Sequence, residues 1–378
     1  MNFITILEKL VSYKTVSEQT NKEIASFIID YLKDLNFEAT KIEGEKGRFN
    51  IYSRIGPITD GGIILSGHTD VVPVEGQIWS TNPFKLIKKG DKLFGRGTTD
   101  MKGFIAVVLS LIKEINVSKL KRPIHLVFSY DEEVGCLGIQ KLVPFLLKLR
   151  PKAKFCIVGE PTEMRLVNQH KGKKNYYVCF NGFESHSSLV EDGVSAINYC
   201  AKFIEYLIKK QSQIKRNKDL NFNPSFSTIN VGKINGGIAV NIIPRQCEIE
   251  FEIRDTPNFN TMKLINEIKQ YLDKLESEMK IKNTNCSIRL QEQNTFPPLN
   301  TDDNAEIISL CLNNLNSNTV DTVSFGTEAG VFNKLNLQTV VCGPGSIKQA
   351  HKPNEYIKIS QLKKCEIFLK KIIKSLHK

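Results

Sequence analysis

Six residues in the first half of the 378-residue chain are of types that bind divalent cations or move protons. His68 and Asp70 follow the apolar run IILSG, Asp100 follows GRGTT, Glu132 and Glu133 follow HLVFSYD, and Glu160 follows FCIVG. Successive positions stand about thirty residues apart, the length of one strand–helix unit. The carboxyl ends of strands border the ligand crevice in open α/β sheets, so strand-end placement would gather these residues at one rim. Imidazole nitrogen and carboxylate oxygen without thiolate suit zinc or a similar divalent ion. At i and i+2 on a strand, His68 and Asp70 leave on the same face, so Asp70 can accept the second N–H of a metal-bound His68. Neighbouring side chains diverge, so Glu132 and Glu133 cannot hold one ion alike. One ligand and one proton carrier is the expected division.

The elements that must position these residues alternate. A capping box at Thr20 to Glu23 precedes the helical periodicity of EIASFIIDYLKDLNF. GGIILSGHTDVV, PIHLVFSYDEE, AKFCIVGEP and TVVCGPG read as buried strands, and KGFIAVVLSLIKEI reads as an apolar helix between two of them. The pattern predicts an α/β fold with a mostly parallel sheet and helices on both faces. After Gly172 the texture changes to half-exposed strands (NYYVCFNGFES, TINVGKINGG, AVNIIPRQCEIEFEIR) and two long helices. The expectation is a discontinuous domain, residues 1–173 and 289–378, interrupted by an inserted α+β domain at 174–288.

Other chemistries lack their marks. There is no G-x-S-x-G elbow, H-E-x-x-H helix, Walker A loop or complete G-x-G-x-x-G. Nine cysteines are scattered singly, which suits reduced thiols better than a disulfide frame. The net charge of +12 is spread along the chain without a basic, aromatic-interleaved stripe, so no nucleic-acid partner is expected. No apolar run approaches the ~20 residues that span a bilayer, so no membrane association is expected. The N-terminal stretch reads as an amphipathic helix rather than an export signal, which makes the cytoplasm the expected location.

SGHTDVVPVEGQIWSTNPF, LFGRGTTDMKG, SYDEEVGC, IVGEPT, VNIIP, FGTEAG and GPGSIKQAHKPNEY, taken together and in this order, resemble the signature blocks of the co-catalytic zinc aminoacylase and carboxypeptidase family. The resemblance implies a zinc-aminopeptidase-like catalytic domain with an inserted dimerisation or lid domain. It implies two Zn2+ per subunit, for which Co2+ can substitute: His68 and Glu160 on one, Glu133 and His351 on the other, and Asp100 bridging. Glu132 would be the general base, Asp70 would orient His68, and a cis peptide would follow Asp100. His186 would reach a partner subunit's site in a homodimer and hold the oxyanion. Asn241, Arg254, Gly326 and Thr327 match positions near substrate. The implied substrate is a small acyl-amino acid, with N2-acetyl-L-ornithine first and N-succinyl-diaminopimelate second. Glu328, in FGTEAG, could pair with the δ-ammonium of ornithine and would repel a succinyl carboxylate. An inactive binding relative would show a lost ligand or base, and none is lost here.

Overall fold

The computed structural model describes residues 1–377. The chain divides into two compact units, the first formed by Met1–His170, Leu299–Thr322 and Gly326–Lys378, the second by Lys171–Pro298 with Val323–Phe325. The expected boundary at 288 cuts through the strand Ser287–Phe296, which pairs along its length with Lys173–Asn181 and closes the second unit.

In the first unit, four parallel strands lie side by side in the order Ile124–Ser129, Gly62–His68, Ala153–Pro161, Gln338–Gly343. Antiparallel strands flank them, Phe49–Ile55 and then Ala39–Glu43 on one side, Leu166–His170 and Leu299–Asn300 on the other. Every residue of Gly62–His68 and Ile124–Ser129 is buried, as expected for strands covered on both faces. The helix Lys102–Ile112 is buried all round because it lies between the sheet and the helices Phe3–Ser12 and Ile359–Ser375. Gly159 permits this approach: a Cβ there would overlap the Phe104 ring. Lys102 is itself buried, and its Nζ donates to the carbonyls of Leu10 (3.0 Å) and Tyr13 (2.9 Å), satisfying the end of the first helix. A small antiparallel sheet, Ile87–Lys89, Lys92–Phe94 and Tyr356–Lys358, brings a late segment of the chain beside the GRGTTD loop.

The capping box does not form as expected. The helix is Lys22–Asp34 with Asn21 as its N-cap, whose own side chain makes no cap bond, and Lys22 N–H donates to Thr20 Oγ1 at 3.3 Å. Thr20 Oγ1 also donates to the Gly47 carbonyl at 2.8 Å, and the Asn21 side chain pairs with both backbone groups of Phe49. Tertiary hydrogen bonds share these residues with the local motif, of which only the Thr20 contact remains.

The second unit is a four-stranded antiparallel sheet in the order Thr228–Gly236, Gln246–Arg254, Lys173–Asn181, Ser287–Phe296. Helices Ala196–Ile214 and Thr261–Lys282 pack on it. Gln246–Arg254 alternates in burial along its length, which gives one face to a core containing Phe180, Phe203, Phe251 and Ile253. Among the described residues no helix is long and apolar enough to cross a membrane, and all nine cysteines are free and buried.

Candidate metal centre

His68 ends its strand, and its ring is fully buried. Its Nδ1–H donates to the carbonyl of Asp70 at 3.0 Å, with the Asp70 carboxylate slightly farther, at 3.4 Å. The sequence reading expected the carboxylate to take this bond. The carbonyl takes the shorter contact, and the carboxylate stays within ion-pair distance of the ring. The Asp70 carboxylate also faces the next loop. Oδ1 accepts the backbone N–H of Glu132 (3.1 Å), and Oδ2 accepts that of Glu133 (3.3 Å) and the hydroxyl of Ser17 (2.8 Å). One acid thus ties the histidine to the turn that carries the glutamate pair.

That turn lies beyond the end of its strand at Ser129, rather than closing the strand as expected. It begins at Asp131, which has a left-handed backbone (φ 51°) and whose carboxylate pairs with buried Arg48 and accepts Glu18 N–H at 2.8 Å. Glu160 lies within the last residues of Ala153–Pro161, and a cis peptide joins Asp100 to Met101. His351 sits in the loop between Gly343 and Tyr356 with φ 62°, a conformation uncommon for histidine.

These side chains converge. His68 Nε2 stands 3.0 Å from Asp100 Oδ1 and 3.6 Å from Glu160 Oε1. His351 Nε2 stands 2.9 Å from Glu133 Oε2 and 3.3 Å from Asp100 Oδ2. Asp100 therefore turns one oxygen to each imidazole. The two adjacent acids part company: Glu132 groups with His68 and Glu160, and Glu133 with His68 and Asp100.

The donor set fits divalent cations. With Nδ1–H committed to the Asp70 carbonyl, neutral His68 would aim the lone pair of Nε2 at carboxylate oxygens, an arrangement that requires a cation between them. The buried Glu133 Oε1 has no hydrogen-bond partner. The electrostatics tell the same story for the protein without ions. Burial would raise Asp100, but hydrogen bonds from His351 and His68 override it and hold the acid below the usual carboxylate range. Hydrogen bonds to Asp100 and Glu133 push His351 up to about 10. Burial, reinforced by neighbouring carboxylates, raises Glu132 to about 8 and Glu133 to about 7, and lifts Glu160 well above its ordinary value. Crowded acids that hold protons in place of cations mark a site built for positive charge.

Glu328 corrects the sequence reading. It is fully buried, and its two oxygens accept hydroxyl hydrogens from Ser66 (2.6 Å) and Ser129 (2.7 Å). With no exposed surface, it is shut away beside the sheet rather than set to meet a substrate ammonium. Thr327 is buried and accepts Ala329 N–H at 3.0 Å at the start of the following helix, beside half-buried Gly326. The second unit carries His186, Asn241 and Arg254. His186 and Asn241 are neighbours there: Ser187 N–H donates to the Asn241 carbonyl at 3.0 Å, and His186 pairs with Ile242. Exposed His186 contacts Ser188 Oγ through Nδ1 at 2.8 Å, and half-buried Arg254 pairs with Glu252 at 3.1 Å. Sequence reasoning missed Ser17, Arg48, Asp131, Arg96 and Glu355, all of which hold the loops of this site. The glycine-rich GRGTTD offered a signal, since its exposed N–H groups need an acceptor.

The model of "Peptidase family M20/M25/M40" matches residues 64–375. A protein named acetylornithine deacetylase from Buchnera aphidicola subsp. Schizaphis graminum (strain Sg) is 33% identical, covering 99% of this chain and 98% of its own. Another of the same name from Shigella sonnei (strain Ss046) is 32% identical over 96% of this chain and 94% of its own. Among solved structures, the M20 family metallo-carboxypeptidase Sso-CP2 from Sulfolobus solfataricus superposes with a TM-score of 0.80 at 18% identity, covering 100% of this chain and 99% of that one. The Bacillus subtilis YXEP protein, described as a dinuclear metal binding peptidase, superposes with a TM-score of 0.70 at 12% identity, covering 98% of this chain and 96% of that one. The chain is a hydrolase acting on amide bonds and belongs to peptidase family M20/M25/M40.

Proposed function

We propose that this metal-dependent amidohydrolase removes the acetyl group from N2-acetyl-L-ornithine, releasing acetate and L-ornithine, with two zinc ions for which cobalt can substitute. His68 and Glu160 would hold one ion, Glu133 and His351 the other, and Asp100 both. The observation that carries the metal assignment is the Asp100 carboxylate, with one oxygen turned toward each imidazole. Bound divalent ions supply Lewis acidity to the scissile carbonyl and acidify water.

Glu132 does the proton work in this reading. It takes a proton from water as the water oxygen bonds to the acyl carbon, then delivers it to the amine nitrogen as the C–N bond breaks. Its raised affinity for a proton, about 8 without ions, falls when cations stand beside it, which brings it toward the range where both transfers are easy. Asp70 keeps Glu132 in place through the backbone N–H of that residue. The same proposal has a cytoplasmic homodimer joined through the second unit, where Ile234, Ile238 and Val240 are exposed apolar side chains. His186 from one copy would then help hold the oxyanion in the other. Asn241, Arg254, Gly326 and Thr327 are proposed to lie near the acyl-amino acid.

The near-full-length relatives that share one name support the choice of substrate. The test is kcat/KM for N2-acetylornithine against N-succinyl-diaminopimelate on zinc-loaded protein, with chelator and zinc-readdition controls. Acetylornithine should be preferred, and chelation should abolish turnover reversibly. A preference for the succinyl substrate would overturn the acyl assignment, and chelator-resistant turnover would overturn the metal.

A further inference from the structure

Glu355 closes the loop that begins at His351, and its side chain is 1% exposed. Both of its oxygens are spent on the loop leading to Asp100. Oε1 accepts the backbone N–H of Thr99 at 2.8 Å and of Asp100 at 3.2 Å. Oε2 accepts the backbone N–H of Gly97 and Nη1 of Arg96, both at 2.9 Å. The backbone joins in: Gly95 N–H donates to the Glu355 carbonyl at 3.0 Å, and Thr99 Oγ1 to the Tyr356 carbonyl at 2.7 Å. Neighbouring N–H groups that point inward form a cradle for an anion. Here the anion is a side chain of the protein. Gly97 makes the cradle possible, because its φ is 82° and a Cβ would stand 2.7 Å from Val71 Cγ1.

The clamp also reaches His351. Arg96 donates to the Lys352 carbonyl at 3.2 Å and to Gln77 Oε1 at 2.6 Å, and Gln77 Nε2 donates to the His351 carbonyl at 2.9 Å. One carboxylate–guanidinium pair therefore ties the backbone beside Asp100 to the backbone of His351. His68 and Glu160, by contrast, are held by strands of the central sheet.

We propose that Glu355 is a positioning residue that sets the separation of Asp100 and His351, and through it the affinity for the ion those two share. This rests on the two-ion reading above. Partners behind metal ligands typically change metal affinity ten- to a hundredfold when removed. The loss should be selective, because the His351 side draws two of its ligands from clamped loops.

The test titrates zinc into metal-free wild type, Glu355→Gln and Gln77→Ala, reading affinities by calorimetry and bound ions per chain by elemental analysis. Cobalt absorption reports the coordination of the second site. Glu355→Gln should keep the first ion at wild-type affinity and bind the second about ten- to a hundredfold more weakly, with an altered cobalt spectrum. Gln77→Ala, at a half-buried position, should show the same selectivity with a smaller loss. Wild-type affinity for both ions in folded Glu355→Gln overturns the proposal, and so does equal weakening of both. Should Glu355→Gln not fold, Gln77→Ala decides: selective weakening supports the clamp and an unchanged second ion overturns it. A wild-type chain that binds no zinc brings down the two-ion reading and the proposal together. Two ions in wild type with unselective variants removes only the role of Glu355.

Discussion

His68 and His351 both face Asp100, from opposite structural positions. His68 ends a fully buried strand, shows no exposed surface, and has both ring nitrogens occupied. His351 lies on a loop in a left-handed backbone conformation with 54% of its side chain exposed. The sheet fixes one half of the site. The other half is held by hydrogen bonds between loops, and Asp100 is the member both halves use. A site divided this way keeps one ligand set rigid while the other depends on a few replaceable contacts.

The largest expected effect tests how the glutamate pair is divided between the halves. Glu132→Ala should retain two zinc ions per chain while kcat falls about 10²- to 10⁴-fold, the usual contribution of a positioned acid–base group. An ion lost along with the activity would make Glu132 a ligand and erase the division. Next is the pair of histidines themselves. In metal-free protein, His68→Ala should cost about 2 kcal/mol of stability, because buried polar partners lose their mate. His351→Ala should cost less, because 54% of its side chain is exposed and water can reach the acids it leaves behind. Equal losses in thermal or urea unfolding would show that the two halves are equally rigid.

The smallest effect probes the sheet half through His125, which is buried on the strand leading to the glutamate turn and pairs with Tyr52 through Nδ1 at 2.8 Å. Burial, helped by Arg54, lowers His125 to about 4. The unfolded chain therefore binds the proton more readily than the folded one. Stability from this group is complete above the ordinary pKa of about 6.5 and is lost as pH falls toward 4, by about 1 kcal/mol at pH 5.5. Unfolding measured against pH should lose that part of its acid slope in His125→Phe. An unchanged slope would remove His125 from the account.

Legibility in the sequence follows the same division. Periodicity located the parallel strands and the buried helix Lys102–Ile112 because burial on both faces leaves a long apolar signature. His68 and Glu160 were readable by their place at the ends of those runs. His351 carried no such signal; only the resemblance of GPGSIKQAHKPNEY to a known block pointed to it. Glu328 misled because residue type alone cannot show that it is fully buried against Ser66 and Ser129. For Asp70 the i, i+2 spacing put the carboxylate beside the ring but could not show that its own carbonyl stands nearer to Nδ1. Partners such as Arg48 and Asp131 are 83 residues apart, and no local pattern announces a bond over that span.

The bond between Asp100 N–H and Glu355 joins residues 255 positions apart. At about 5–20 residues per second, synthesis leaves Asp100 waiting roughly ten to fifty seconds for the carboxylate that completes its loop. The candidate metal centre thus cannot be finished until residue 355 has been made, long after His68. Until then the acids of the sheet are present without the geometry that closes around an ion.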